Sequence, residues 1–291
     1  VSATLWRTYD QDALDKQLNL RARTPEHADF FAKWAAESAE IRKSFPGARL
    51  DLAYGEAPAE RLDLFPAAEP DAPLVAFIHG GYWQSLDKGD FSIFAPAFRA
   101  AGVAYASLNY TLAPEARIPH MVAQCRQALG YLHRQAGDLG FDPKRIVVAG
   151  HSAGGHLAAM MALTDWAALG LPADLLAGGV SVSGIYELEP LRRSYQQPVL
   201  QLDAQQVEEA SPLRRLRAGT PPLLCAVGST EPEEFKDQQR EMLAAMAAQH
   251  LIAHEIPLEG RHHFDAVEAL GEPDHALFRR TVALARDGTA G

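Results

Sequence analysis

The chain has 291 residues, 47% of them hydrophobic and 22% charged, and a formal net charge of −10. No apolar run approaches the ~20 residues of a membrane span, and the acidic balance argues against nucleic acid or an anionic membrane as partner while saying nothing about which small molecule binds. Cys125 and Cys225 are too few for a disulfide framework and read as buried thiols. The first residues lack a basic segment followed by an apolar core, so no secretory signal is expected and a cytoplasmic location is the default.

Between residues 12 and 45, Phe30, Phe31, Trp34, Ile41 and Phe45 recur at helical spacing, with Pro25-Glu26 opening the second helix and Pro46-Gly47 closing it. This N-terminal extension, residues 1–46, is expected to brace the domain or to form part of a lid. Leu50-x-Leu52-x-Tyr54 and Leu62-x-Leu64, parted by Gly55-Glu56-Ala57-Pro58, predict an antiparallel hairpin at a sheet edge. Leu74 to Ile78 is a continuous apolar run suited to a parallel strand covered on both faces, and it ends in His79-Gly80-Gly81-Tyr82-Trp83. Further strands are predicted over 103–108, 143–149, 178–185, 222–227 and 250–257. Helices are predicted over 87–101, 116–135, 152–165, 233–249 and 274–286. The alternation implies one α/β domain over 1–291, with a mostly parallel central sheet and helices on both faces. Residues 187–217 break the rhythm and read as a small helical cap inserted above the carboxyl edge of the sheet. The tail from Asp287 is expected to be disordered.

The run Ile146 to Ala149 leads into Gly150-His151-Ser152-Ala153-Gly154 and then into an apolar helix. A strand that turns into a helix through Gly-x-Ser-x-Gly is the nucleophile elbow of the α/β-hydrolase fold. Small residues two positions either side of Ser152 let strand and helix close on each other and aim the hydroxyl off the sheet.

Acyl transfer places negative charge on a carbonyl oxygen, and fixed backbone amides can receive it. Ala153, after the nucleophile, and Gly81 and Tyr82, in the loop after an earlier strand, are the candidate oxyanion donors. His79 precedes the nucleophile and is expected to pin that loop. On this fold the chain order is nucleophile, acid, base. Glu231, three residues past Gly228, is the candidate acid, with Glu233, Glu234 and Asp237 assigned to the following helix terminus. Between the candidate bases His262 and His263, the choice falls on His263, which is followed by Phe264 entering the last helix. Asp265 reads as a helix cap. Tyr82, Trp83 and Phe264 are candidates for the substrate pocket, with packing of its own loop the other reading of Trp83. The histidines lack acidic or thiolate neighbours at ligand spacing, so no metal or other cofactor is expected.

Together, His79-Gly80-Gly81-Tyr82-Trp83-Gln84, Asn109-Tyr110-x-Leu112-Ala113-Pro114-Glu115, His151-Ser152-Ala153-Gly154-Gly155-His156 and His263-Phe264 resemble the kynurenine formamidase (arylformamidase) branch of the α/β-hydrolases, near the hormone-sensitive-lipase-like esterases. The resemblance spans most of residues 48–285. It implies a Ser, acid and His triad that cleaves N-formylkynurenine or small aryl and alkyl esters. Glu231 departs from the aspartate of that branch. The expectation is a serine hydrolase acting on small esters or aryl formamides, with kynurenine formamidase proper as one alternative and a catalytically silent binding protein as another. A homodimer is left open.

Overall fold

A computed structural model of the protein describes residues 4–289. Residues 1–3, within the stretch read for a leader, and 290–291, within the expected tail, lie outside the described residues. Helices α1 (Gln11–Leu18), α2 (Leu20–Arg23) and α3 (His27–Ser44) precede strands β1 (Arg49–Ala53) and β2 (Arg61–Phe65). Then come β3 (Ala72–Ile78), a 3-10 segment (Lys88–Phe94), α4 (Ala95–Ala100), β4 (Ala104–Leu108), α5 (Ile118–Leu139), β5 (Phe141–His151), α6 (Ala153–Ala162) and β6 (Gly178–Val182). Short helices α7 (Glu189–Arg192), α8 (Gln197–Leu200) and α9 (Ala204–Ala210) lead to β7 (Leu223–Gly228), α10 (Glu233–Ala248), β8 (Ala253–Leu258) and α11 (Ala276–Asp287).

The strands form one sheet in the order β1-β2-β4-β3-β5-β6-β7-β8. The hairpin β1–β2 occupies the edge and β2 runs antiparallel to β4, while the remaining pairs are parallel. Every residue of β3, β4 and β6 is buried, as expected for strands covered on both faces. Helix α5 buries Met121, Val122, Cys125, Ala128, Leu129 and Leu132 along one face and ends on Gly140 in the left-handed conformation. The parallel strands carry their carboxyl ends to one edge, and the loops after β3, β5, β6, β7 and β8 meet there.

Two expectations are corrected. The helix predicted over 87–101 begins as a 3-10 segment, with Phe91 out of helical geometry (φ −119°, ψ 19°) before α4. A capping box from Asp87 and Asp90 tightens its start, and buried Lys88 is held to Asp51 (2.6 Å) and Asp63 (2.8 Å), with Arg42 of α3 paired to Asp63 as well. The tail is ordered further than expected, because α11 continues through Asp287 and is closed by Gly288 at φ 65°. The 187–217 segment lies beside the N-terminal helices and α5. Its Gln196 Oε1 accepts from Gln84 Nε2 at 2.6 Å, and Leu200 O accepts from Arg117 Nη1 at 3.2 Å. Among the described residues no helix is long and apolar enough to cross a membrane.

Candidate active site

Ser152 sits between β5 and α6 at φ 57° and ψ −119°, a conformation that costs a side-chain-bearing residue about 1–3 kcal/mol. The turn is anchored by Ser152 N–H donating to Val182 O at 2.8 Å. The tight approach explains the flanking glycines. A Cβ on Gly154 would stand 1.9 Å from Ile78 O, and one on Gly150 would stand 2.1 Å from Gly154 O.

The loop after β7 brings Glu231 to the same edge, where it is 2% exposed. Its Oε1 accepts from Ser183 Oγ (2.5 Å) and Gly228 N–H (2.8 Å), and its Oε2 lies 2.7 Å from His263 Nδ1. An ionised carboxylate only accepts, so this contact puts the proton on Nδ1 and leaves the lone pair on Nε2. The His263 ring is packed edge-on by Phe264 (5.4 Å) and Phe235 (5.1 Å). His262 points elsewhere: its Nδ1 accepts from Phe264 N–H at 3.1 Å, and its ring meets Phe30 edge-on. Asp265 opens the following 3-10 turn, but its carboxylate accepts from His262 N–H at 2.7 Å rather than from the turn. The neighbouring acids are engaged elsewhere. Glu234 accepts from Trp6 and Arg7, Glu233 pairs with Lys236 and Arg240, and Asp237 pairs with Arg240.

Gly81 (φ 101°), Tyr82 (φ 53°) and Trp83 (φ 57°) make three successive left-handed residues after β3. A side chain at Gly81 would collide with Ser85 O, which stands 2.2 Å from the Cβ position. The Gly81 carbonyl accepts from Gln84 N–H and Ser85 N–H, while among the described residues no protein group accepts from the N–H of Gly81, Tyr82 or Ala153. His79 pins the loop as expected. Its Nε2 lies 2.9 Å from Asn109 Oδ1, its ring stacks on Tyr110 at 4.5 Å, and Tyr110 Oη donates to His79 O at 3.0 Å. Trp83 does not wall the pocket: it is fully buried, edge-on to His156 at 5.1 Å, and packs the loop onto the core.

Ser152, His151 and His263 line one cavity together with Tyr82, Leu86 and Phe264. Its roof comes from the N-terminal segment, through Leu20, Arg21, Phe31 and Trp34, and the 187–217 insertion contributes no lining residue. The same segment also braces the domain: Arg7 Nε donates to buried Glu234 at 2.8 Å. Helical spacing at Phe31 and Trp34 signals a buried face, but nothing in the sequence says what that face covers. His151 is a second residue that sequence reasoning passed over. Its Nε2–H donates to the His263 carbonyl at 2.8 Å, and burial, reinforced by the nearby His263 ring, holds its pKa well below the usual histidine range. Ser183, which grips Glu231, is a third. No sequence signal marks it, because the contact joins residues 48 apart. Burial pushes the Cys125 and Cys225 thiols up to about 12, which leaves both unreactive.

The sheet topology and a strained serine at the end of its central strand define an α/β-hydrolase of the serine-hydrolase class. The BD-FAE family model matches residues 62–171. Kynurenine formamidase of Danio rerio is 28% identical over 291 residues, covering 96% of this chain and 98% of that one. Esterase LipC of Mycobacterium tuberculosis is 27% identical over 257 residues, covering 79% and 63%. A crystal structure from Silicibacter sp. TM1040, provisionally described as a thioesterase, superposes with a TM-score of 0.82 at 32% identity over 94% of this chain and 98% of that chain. The chain belongs to the kynurenine formamidase and hormone-sensitive-lipase-like esterase family of α/β-hydrolases. Its activity is that of an esterase or arylformamidase-like hydrolase on small molecules.

Proposed function

We propose that Ser152, Glu231 and His263 are the catalytic triad of this enzyme, and that the amides of Gly81, Tyr82 and Ala153 form its oxyanion hole. The observation that carries the reading is the 2.7 Å contact between Glu231 and His263 Nδ1 at the wall of the cavity that also holds Ser152. His263 Nε2 takes the Ser152 proton as Oγ attacks the acyl carbon. Glu231 holds the tautomer and stabilises the imidazolium. Each oxyanion donor contributes about 3 kcal/mol in the transition state. His263 then protonates the leaving alcohol or arylamine, and water repeats the sequence on the acyl-enzyme.

The substrate is a small ester or aryl formamide. The aromatic surround of Phe31, Trp34, Tyr82 and Phe264 suits a flat arylamine leaving group as in N-formylkynurenine. We read the chain as one hydrolase domain roofed by its N-terminal helices, and the two free buried thiols fit a cytoplasmic setting. Parallel kinetics on N-formylkynurenine and on short p-nitrophenyl esters test the substrate assignment. A kcat/KM for the formamide above that for every ester supports formamidase activity, and turnover of esters alone assigns a carboxylesterase. Hydrolysis of neither contradicts the proposal.

A further inference from the structure

The cavity over Ser152 has a neighbour. Arg21, Gly81 and Tyr82 line it and also line a second, polar chamber on the outer side, completed by groups such as Asn19, Gln84 and Gln196. Arg21 is the cation of this shared wall. Its Nη2 donates to Ser85 Oγ at 2.6 Å, Ser85 Oγ donates to Gly81 O at 3.1 Å, and the guanidinium carbon lies 5.6 Å from the Phe31 ring centroid. The guanidinium is therefore tied to the loop whose amides face the reacting carbonyl.

Among the described residues no carboxylate pairs with Arg21, and neither lining contains Asp or Glu. In a chain with 37 acidic against 27 basic side chains, this is a local reversal of the overall charge. Arg7, Arg42, Arg192, Arg214 and Arg261 have carboxylate partners, and Arg49, Arg61, Arg99 and Arg117 donate to backbone carbonyls, whereas Arg21 donates to the neutral hydroxyl of Ser85. Asp15, the acid near the outer rim, accepts from Tyr195 N–H and Gln11 and stands outside both linings. The other polar groups of the chamber are already ordered. Asn19 Oδ1 accepts from Ala22 N–H, which leaves its amide nitrogen as a donor, and Gln84 and Gln196 hydrogen-bond each other at 2.6 Å. A planar, permanently charged donor without an anion, beside a neutral polar recess, matches a carboxylate in shape and charge.

We propose that Arg21, which lines the cavity over Ser152, selects the substrate by a free carboxylate that pairs with its guanidinium while the acyl carbon lies over Ser152. This rests on the hydrolase reading above. It narrows the substrate from small esters and formamides in general to those carrying a carboxylate.

The test compares matched pairs that differ in that charge at near-constant shape: p-nitrophenyl 4-carboxybenzoate against p-nitrophenyl 4-carbamoylbenzoate, and N-formylkynurenine against its carboxamide. The kcat/KM ratio of anionic to neutral substrate is expected to favour the anion by about tenfold or more in the wild type and to collapse in Arg21→Gln. Arg21→Glu is expected to disfavour the anion further, and 0.5 M salt to shrink the wild-type ratio by about severalfold. Ser85→Ala, which removes the tether but keeps the charge, separates loss of charge from distortion of the loop: its ratio is expected to stay above that of Arg21→Gln. A ratio unchanged by both Arg21 substitutions overturns this inference and leaves the triad untouched, whereas a wild type inactive on all four compounds contradicts the hydrolase proposal. Calorimetric binding of benzoylglycine gives a comparison independent of turnover. Binding that is lost in Arg21→Gln supports the inference, and absent or equal binding in the two proteins overturns it.

Discussion

Replacing Glu231 by Gln preserves the shape of the buried side chain and changes only what it can accept and donate. Two donors, Ser183 Oγ at 2.5 Å and Gly228 N–H at 2.8 Å, converge on the Oε1 position and hold the amide oxygen there. The amide nitrogen is then forced into the Oε2 position, 2.7 Å from His263 Nδ1. Because that nitrogen is a donor, Nδ1 must become the acceptor, and the imidazole proton moves to Nε2. A ring protonated at Nε2 cannot take the Ser152 proton, and its charged form has lost the neighbouring anion. Loss of the correct tautomer with intact geometry costs about ten-thousandfold in rate in triads of this design, equivalent to about 5.5 kcal/mol of barrier. The assay is kcat/KM on p-nitrophenyl acetate from pH 6 to 9, with circular dichroism to verify the fold. Asp237→Asn, remote from His263, is the control and is expected to lie within about twofold of wild type. A loss below about tenfold in Glu231→Gln would refute the assignment of Glu231 as the acid.

Other consequences follow from burial and packing. Burial lowers the His156 pKa to about 4, with its Nε2–H donating to Ala210 O at 2.7 Å. Below the ordinary histidine pKa near 6.5 the unfolded chain takes up a proton that the folded one refuses, so stability is complete above that pH and declines by about 3 kcal/mol as the pH falls to 4. His79 and His151 are shifted downward too and steepen the decline. Urea unfolding at pH 7.5, 6 and 5 checks the sign, and His156→Gln is expected to flatten the dependence. Gly154→Ala forces a methyl to within 1.9 Å of Ile78 O, and a loss of more than about 3 kcal/mol in urea unfolding, or no folded protein, is expected. Phe31→Ala removes part of the cavity roof and is expected to raise KM about tenfold for aryl substrates with a smaller effect on kcat, measured by steady-state kinetics.

The parts of the molecule written in short, contiguous patterns are legible in the sequence. The elbow needs glycines at fixed offsets from Ser152. The buried strands need apolar runs, and the β1–β2 edge hairpin needs alternation with a turn between. The loop after β7 has little room, so Glu231, three residues past Gly228, accepts that residue's N–H and stands beside His263. Features that depend on distant segments meeting were not legible. Phe31 and Trp34 announce a buried helix face, yet only the folding of α3 back over the sheet's edge turns that face into the roof of the cavity. Trp83 stands next to a pocket residue in sequence, but three successive left-handed residues turn it away into the core against His156. The grip of Ser183 on Glu231 and of His151 on the His263 carbonyl joins loops 48 and 112 residues apart, a distance no local pattern spans.

The central claim is that Ser152 is a nucleophile activated by His263, and labelling with a fluorophosphonate followed by peptide mass spectrometry tests it most directly. The account predicts one adduct, on the peptide carrying Ser152, formed in wild type and in His262→Ala but lost in Ser152→Ala and slowed by about a thousandfold or more in His263→Ala. An adduct on another residue, no adduct on folded wild-type protein, or labelling that survives in His263→Ala and fails in His262→Ala would contradict it.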